Sequence, residues 1–207
     1  MAKTKKEETK TKEQIIADNT KDAKKDMLIE IGPYLVIIIC IVLTRIFIAT
    51  PIMVNGTSMN PTLNNSNVMI LYKLTKKFRG IKRFDIVVID TDSGDLIKRV
   101  IGLPGDKIKY TVEENVDGTK TPTLYVNGKK VKETFLADKY KNQTCTEHGS
   151  FDLCEQEITV EKDHYYVMGD NRGNSKDSRI IGSISIDDIR GTTKFRIWPL
   201  NKIGNVK

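Results

Sequence analysis

The stretch "IGPYLVIIICIVLTRIFIAT", Ile31 to Thr50, limits the fold more than any other part of the chain, and Arg45 is its only charge. At about 1.5 Å per residue, a helix of this length covers roughly 30 Å, the thickness of a bilayer's hydrocarbon core. Arg45 lies about one turn from the outer end, where a long side chain snorkels to the headgroups. The competing reading is a buried helix in a soluble core. A cleaved leader fits poorly: the apolar run is long, and the candidate cleavage region "IATP" contains bulky Ile48 and ends in Pro51. An uncleaved transmembrane anchor, residues 31–50, is expected.

Charge sets the orientation. Lys21, Lys24 and Lys25 precede the span, and no lysine occurs from Thr50 to Tyr72. The positive-inside rule then predicts a single-pass protein of the cell (plasma) membrane, with a cytoplasmic N-terminus and an extracytoplasmic remainder, residues 51–207. Residues 1–30 hold eight Lys against seven Asp and Glu, a nearly balanced polar tail. Most of the formal charge of +7 therefore arises downstream, most visibly at Lys73, Lys76, Lys77, Arg79, Lys82 and Arg83, with no acid between them. That group reads as solvated loop or strand edge, or as a contact for anionic lipid headgroups. No stacking motif or recognition helix accompanies it, so no nucleic-acid partner is expected.

With 39% hydrophobic and 29% charged residues in 207, the chain is no multi-span protein and has room for one good-sized domain. From Pro51 onward the pattern is β. "NVMILYKL", "FDIVVIDT", "HYYVMGD" and "TKFRIWPL" are apolar-rich strands, and "TLYVNGKKV" is a hairpin turning at Asn127-Gly128. "IGLPGD" is a tight turn, and "SIDDIR" is expected as one helical turn capped by Ser185. Residues 110–162 are more polar and predict an inserted, more variable β subdomain. The expected fold is mainly β, a folded or partly closed antiparallel sheet preceded by one transmembrane helix.

Of three cysteines, Cys40 falls within the span. Cys145 and Cys154 enclose "TEHGSFDL". Outside the membrane a disulfide is the first expectation; a free pair, or a metal site with His148, are the alternatives. No metal or organic cofactor is called for.

Just beyond the anchor, "MVNGTSMNPTL" sets Ser58 between small residues. The two histidines, His148 and His164, have no evident Ser and Asp arrangement around them, which speaks against a Ser-His-Asp triad. A serine nucleophile then needs another base. Lysine serves when neutral, and desolvation favours that form. The useful lysine sits among apolar strand residues rather than in a charge run. Lys98 in "GDLIKRVIGLPGD" fits, with a solvent-facing strand lysine as the bland alternative.

Four stretches, "NGTSMNPTL", "FDIVVI", "IKRVIGLPGD" and "MGDNRGNSKDSRIIG", follow the order and approximate spacing of the boxes of bacterial type I signal peptidases, and "KFRIWPLNKIG" is also typical of them. The chain resembles that family from about Arg45 to its C-terminus, with the single anchor of the Gram-positive-type members. The resemblance implies a membrane-anchored serine endopeptidase that removes signal peptides from secretory preproteins at Ala-X-Ala type sites. Ser58 is then the nucleophile, attacking the si-face of the scissile carbonyl, and Lys98 the general base that later protonates the leaving amine. Met59 and Pro61 match the loop shaping the substrate site. Ser175 matches the hydroxyl that helps hold the lysine amine. Asp177 and Arg179 match a structural ion pair, supported by Asp170 and Arg172. Gly56 departs from members with a hydroxyl there that completes the oxyanion hole. The Ser58 N–H remains one donor, and the Gly56–Thr57 region or water must supply the second. Membrane lipids are expected partners, with Met53, Val54 and Met59 dipping into the outer leaflet, and the enzyme is expected to be a monomer. A non-catalytic assembly factor of the same family is disfavoured because both Ser58 and Lys98 are present, and a soluble repressor-type autoprotease because of the anchor.

Overall fold

The computed structural model describes Met27 and residues 29–114, 116–145, 154 and 156–206. Most of the expected cytoplasmic tail, and His148, lie outside these residues. Helix α1 (Ile29–Ile48) is long and apolar enough to cross a membrane. Its side chains are exposed, Tyr34, Val36 and Phe47 among them, and its last five residues, Thr44–Ile48, wind as a π-helix.

From Phe47 onward the chain forms a separate β body. Its strands are β1 (Ala49–Met53), β2 (Val68–Tyr72), β3 (Ile86–Ile89), β4 (Leu96–Gly102), β5 (Lys107–Glu114), β6 (Lys120–Val126), β7 (Lys129–Val131), β8 (Ile158–Thr159), β9 (His164–Met168), β10 (Ile184–Ser185), β11 (Ile189–Trp198) and β12 (Gly204–Asn205). Eight of them make one sheet in the order β1-β2-β11-β3-β4-β9-β10, with β12 beside β11. The other four form a second sheet, β7-β6-β5-β8. Each strand pairing is antiparallel. Ten-residue β11 pairs with β3 through its first half and with β2 through its second, and its register shifts at three places. Such bulges bend and twist a strand, which curls the large sheet as expected.

Period-two alternation explains the core. Ile86 and Val88 of β3 pack into one cluster with Ile97, Met69, Leu71 and Met59. Val87 and Ile89 pack into another with Val100, Val167 and Ile189. Strand β3 is thus buried on both faces, which is why it reads as an unbroken apolar run. A third cluster joins Ile101, Tyr166 and Met168 of the large sheet to Ile108, Tyr110, Leu124 and Val126 of the small one. Cys145 and Cys154 form a disulfide whose cysteines pack against that cluster.

The β6–β7 hairpin turns at Asn127 and Gly128, with φ of 50° and 74°. Two positive φ angles are what a tight hairpin of this hand requires. "SIDDIR" departs from the expected helical turn. Ser185 ends β10, a three-residue turn follows, and β11 begins at Ile189. Ser185 Oγ does accept from the Asp187 N–H, but strand pairing on either side leaves no room for a helix. The short helices lie elsewhere, as α2 (Thr75–Phe78), α3 (Asp138–Lys141) and α4 (Ser178–Ile181).

Candidate active site

Three segments meet at Ser58. The first is its own loop between β1 and β2. Val54, Met59 and Leu63 are buried there, so the residue after Ser58 is an anchor pressed into the core. The loop closes on itself through Asn60 N–H to Thr57 O and Leu63 N–H to Met59 O, at 3.0 and 2.9 Å. This burial corrects the expectation that Val54 and Met59 reach into lipid. Their side chains point inward, and only Met53 of that trio is exposed. Pro61 is exposed on the same loop.

The second segment is β4. Lys98 lies opposite Val87 of β3, is 3% exposed, and directs Nζ to Ser58 Oγ at 2.7 Å. Burial lowers its pKa to about 8, with Asp177 raising it, Arg179 lowering it and Asp170 raising it in smaller measure. A neutral amine accepts the Ser58 proton along the same line on which the charged form donates to Oγ.

The third segment is the loop after β9. Asn171 N–H donates to the Ser58 carbonyl oxygen at 2.9 Å, and Asn171 Nδ2 to the Thr57 carbonyl at 3.1 Å. Asn174 Nδ2 reaches Thr57 Oγ1 at 3.2 Å. Gly169 makes this approach possible: a Cβ there would collide with Ser175 Oγ and stand 2.5 Å from the Ser58 carbonyl oxygen. Ser175 is close by, but its buried Oγ makes no hydrogen bond. It lies close enough to the Asp177 carboxyl to help hold it down as a side-chain donor, by contact looser than an ordinary hydrogen bond, and among the described residues it makes no bond to the Lys98 amine.

Behind the site lie three buried arginine–carboxylate pairs. Arg99 donates to both oxygens of Asp170, at 2.8 and 2.7 Å, and stacks 4.0 Å from the Phe135 ring centre. Arg179 donates through Nε and Nη2 to Asp177, at 2.8 and 2.9 Å, and Gly169 N–H adds a third bond. Burial pushes the Asp177 carboxyl up, but Arg179 and these hydrogen bonds outweigh it and hold the carboxyl below its usual range. Arg172 pairs with Glu133 and also donates to Tyr110 Oη, Thr144 Oγ1 and the Gly169 carbonyl. Asp170 and Arg172, though two residues apart, therefore serve different partners.

The oxyanion region is partly occupied. Gly56 N–H donates to Asn65 Oδ1 at 2.9 Å, so that group is already spent. Thr57 Oγ1 accepts from Asn174, which leaves its own proton free to donate.

Residues 28–198 match the family model described as signal peptidase, peptidase S26. A signal peptidase I of Bacillus caldolyticus is 40% identical over 79% of this chain and 88% of its own length. Signal peptidase I S of Bacillus subtilis is 37% identical over 87% and 95%. Signal peptidase IB of Staphylococcus aureus is 35% identical over 86% and 93%. The chain belongs to the signal peptidase family. A solved signal peptidase I from Enterococcus faecalis, 29% identical, covers 54% of this chain and 95% of its own with a TM-score of 0.39, too loose an overlap to argue from.

Sequence reasoning about this signal peptidase named Ser58, Lys98 and the 170–179 residues but missed Arg99, Glu133 and Asn171. Arg99 carried a usable signal. A second cation beside Lys98 in an apolar strand cannot be buried without a carboxylate partner. Glu133 carried none, because it sits in the polar run "KKVKETF".

Proposed function

We propose that this signal peptidase is a membrane-anchored Ser58/Lys98 endopeptidase that cuts secretory preproteins after small residues at Ala-X-Ala type sites. The observation that carries the reading is the 2.7 Å contact between Lys98 Nζ and Ser58 Oγ, with the amine buried and its pKa lowered to about 8. At pH 7 such an amine is neutral in about one molecule in ten, against about one in 2,500 at an ordinary lysine pKa. Neutral Lys98 takes the Ser58 proton as Oγ bonds to the scissile carbonyl carbon. The resulting ammonium gives that proton to the leaving amine, the new N-terminus of the mature protein. The acyl-enzyme, an ester of Ser58 with the signal peptide, is then hydrolysed by a water that Lys98 deprotonates. The Ser58 N–H and the Thr57 hydroxyl are the proposed oxyanion donors.

The remaining assignments follow from the same reading. Asp177–Arg179 braces the segment after β9, Asp170–Arg99 ties that segment to β4, the strand that carries Lys98, and Arg172 holds the Gly169 carbonyl. Gly56, Thr57, Met59 and Pro61 shape the substrate path, with Met59 acting from the core side. Helix α1 is the anchor, residues 1–30 are its cytoplasmic tail, and residues 51–207 work outside the plasma membrane as a monomer, with 110–162 as an inserted subdomain. Signal peptides are themselves held in the bilayer, so a tethered enzyme meets them at raised effective concentration.

The test is cleavage of a preprotein bearing an Ala-X-Ala site by the full chain in detergent, with the new N-terminus mapped by mass spectrometry. Wild type is expected to cut after the second Ala, with Ser58→Ala and Lys98→Ala near background. Undiminished cutting by either variant would refute the dyad.

A further inference from the structure

Thr57, the residue before the nucleophile, is gripped at two atoms by a distant segment. Asn171 Nδ2 donates to its carbonyl oxygen at 3.1 Å, and Asn174 Nδ2 to its hydroxyl oxygen at 3.2 Å. Both amides come from one turn, which the Asn174 N–H closes on the Asn171 carbonyl at 2.9 Å. Between them Arg172 is directed inward and buried on Glu133, Tyr110 and Thr144. The turn is thus anchored from behind, while its two asparagines face the nucleophile loop. Folding gains little from this grip, because Thr57 and Asn174 are exposed and water would satisfy the same groups.

Both gripped atoms bear on the charge that develops during attack. The Thr57 carbonyl belongs to the same trans peptide unit as the Ser58 N–H, so the two point in opposite directions. Asn60 N–H, at 3.0 Å, and Asn171 Nδ2 both donate to that carbonyl, which fixes the plane of the unit. They also draw electron density toward the oxygen, and each such bond strengthens the N–H as a donor by about 10–30%. Among the described residues no group accepts from the Ser58 N–H, so it is open to an incoming oxygen. Asn174 fills an acceptor position of Thr57 Oγ1, so the hydroxyl proton turns away from it. Gly56 has no side chain to offer, and its N–H is held by Asn65.

We propose that Asn171 and Asn174 are positioning residues for the oxyanion hole: Asn171 orients and polarises the Ser58 N–H through the Thr57 carbonyl, and Asn174 aims the Thr57 hydroxyl. The assignment rests on the reading that Ser58 attacks a peptide carbonyl with these two groups as oxyanion donors. Donors fixed in advance act on the tetrahedral intermediate more than on the bound substrate. The two asparagines therefore act on turnover rather than on substrate affinity or folding.

The experiment combines steady-state cleavage of a preprotein by the full chain in detergent with the binding of two Ala-X-Ala peptides. One ends in an aldehyde, which Ser58 converts to a tetrahedral adduct; the other ends in an amide and stays a ground-state ligand. Asn171→Ala and Asn174→Ala are each expected to lower kcat about tenfold with KM held, the upper worth of one neutral hydrogen bond. Affinity for the aldehyde should fall with kcat, and affinity for the amide should hold. Thr57→Val should lower kcat about 10²-fold. Adding Asn174→Ala to it should cost nothing further, because no hydroxyl is left to aim. Melting temperatures should hold; should Asn171→Ala melt lower, Asn171→Leu, neutral and of similar shape, decides instead. An unchanged kcat overturns the role of the asparagine concerned. Equal weakening of both peptides, or losses that add in the Thr57→Val/Asn174→Ala double variant, would show a merely structural contact and overturn the proposal. Wild type that leaves the preprotein uncut overturns the endopeptidase reading and the proposal together, whereas wild-type cleavage matched by both asparagine variants overturns the proposal alone.

Discussion

Of the buried cations, Arg172 and Lys98 sit under opposite conditions. Arg172 is surrounded by compensation from the Glu133 carboxylate, the Tyr110 hydroxyl and ring, Thr144 and the Gly169 carbonyl. Burial works against its charge, but Tyr110 and Glu133 more than reverse that, and its pKa moves up. Lys98 has one side-chain hydrogen-bond partner among the described residues, the neutral Ser58 hydroxyl. The carboxylates near it, Asp177 and Asp170, each have their own arginine. Desolvation therefore wins at Lys98 and its pKa falls. Burial alone does not decide whether a cation becomes a structural brace or a base. What decides is whether the neighbouring negative charge is already claimed.

The largest expected effect comes from removing the uncompensated member. Lys98→Met should lower kcat/KM for preprotein cleavage by about 10² to 10⁴, the usual contribution of a positioned base. Lys98→Arg should not restore it, since a guanidinium stays charged. Stability should move the other way. The folded-state pKa of about 8 lies below the unfolded value of 10.5. Protonated Lys98 therefore disfavours folding at pH 7, by roughly 3 kcal/mol. That penalty fades as pH rises from about 8 to 10.5, so Lys98→Met should gain stability in urea melts at pH 7 and lose the gain near pH 10.

Removing compensation from the other cation should cost folding. Glu133→Ala leaves Arg172 buried beside neutral partners, and breaking such a pair costs about 3–5 kcal/mol. Urea denaturation measures it, and a loss below about 1 kcal/mol would mean that solvent reaches Arg172 after all.

The contrast between the two cations was only half legible in the sequence. Lys98 stood out because it interrupts an apolar strand, yet the same pattern fits a strand lysine facing solvent, and it took the resemblance to select it. The Asn127-Gly128 hairpin was legible because its turn is decided by two adjacent residues. The partners of the buried arginines were not, since Arg99 and Asp170 are 71 residues apart and Arg172 and Glu133 are 39. Local pattern carries no record of such pairings. "SIDDIR" misled for a related reason: its serine and acids suit a helix start, but pairing of β10 with β9 and of β11 with β3 fixes the backbone on both sides. Val54 and Met59 misled because apolar residues beside a membrane span suit lipid and core equally well.

A smaller effect sharpens how far Lys98 depends on the claimed charges. Cleavage should rise about tenfold from pH 7 to pH 9 as an amine of pKa about 8 loses its proton. In Arg179→Gln, Asp177 is left unopposed and should shift the midpoint upward, because Asp177 raises the Lys98 pKa and Arg179 lowers it. A wild-type profile flat across this range, with chemistry rate-limiting, would remove Lys98 as the base. A midpoint unmoved in Arg179→Gln would leave desolvation as the sole control.

The smallest effect is expected at Ser175, whose hydroxyl is buried beside the dyad with no partner at ordinary hydrogen-bond geometry among the described residues. If it stays unbonded during turnover, Ser175→Ala removes an unsatisfied group, and stability should hold or rise slightly. Cleavage should then fall by less than about tenfold, the worth of one neutral hydrogen bond, with the pH midpoint in place. If the hydroxyl instead turns to the amine once substrate displaces solvent, it stabilises one protonation state over the other. The variant would then lose more activity and its midpoint would move. Stability and the pH profile together separate these cases, since a packing defect shifts melting without shifting the midpoint. A moved midpoint at unchanged stability would place Ser175 on the lysine, and give Lys98 a second partner that the resting site withholds.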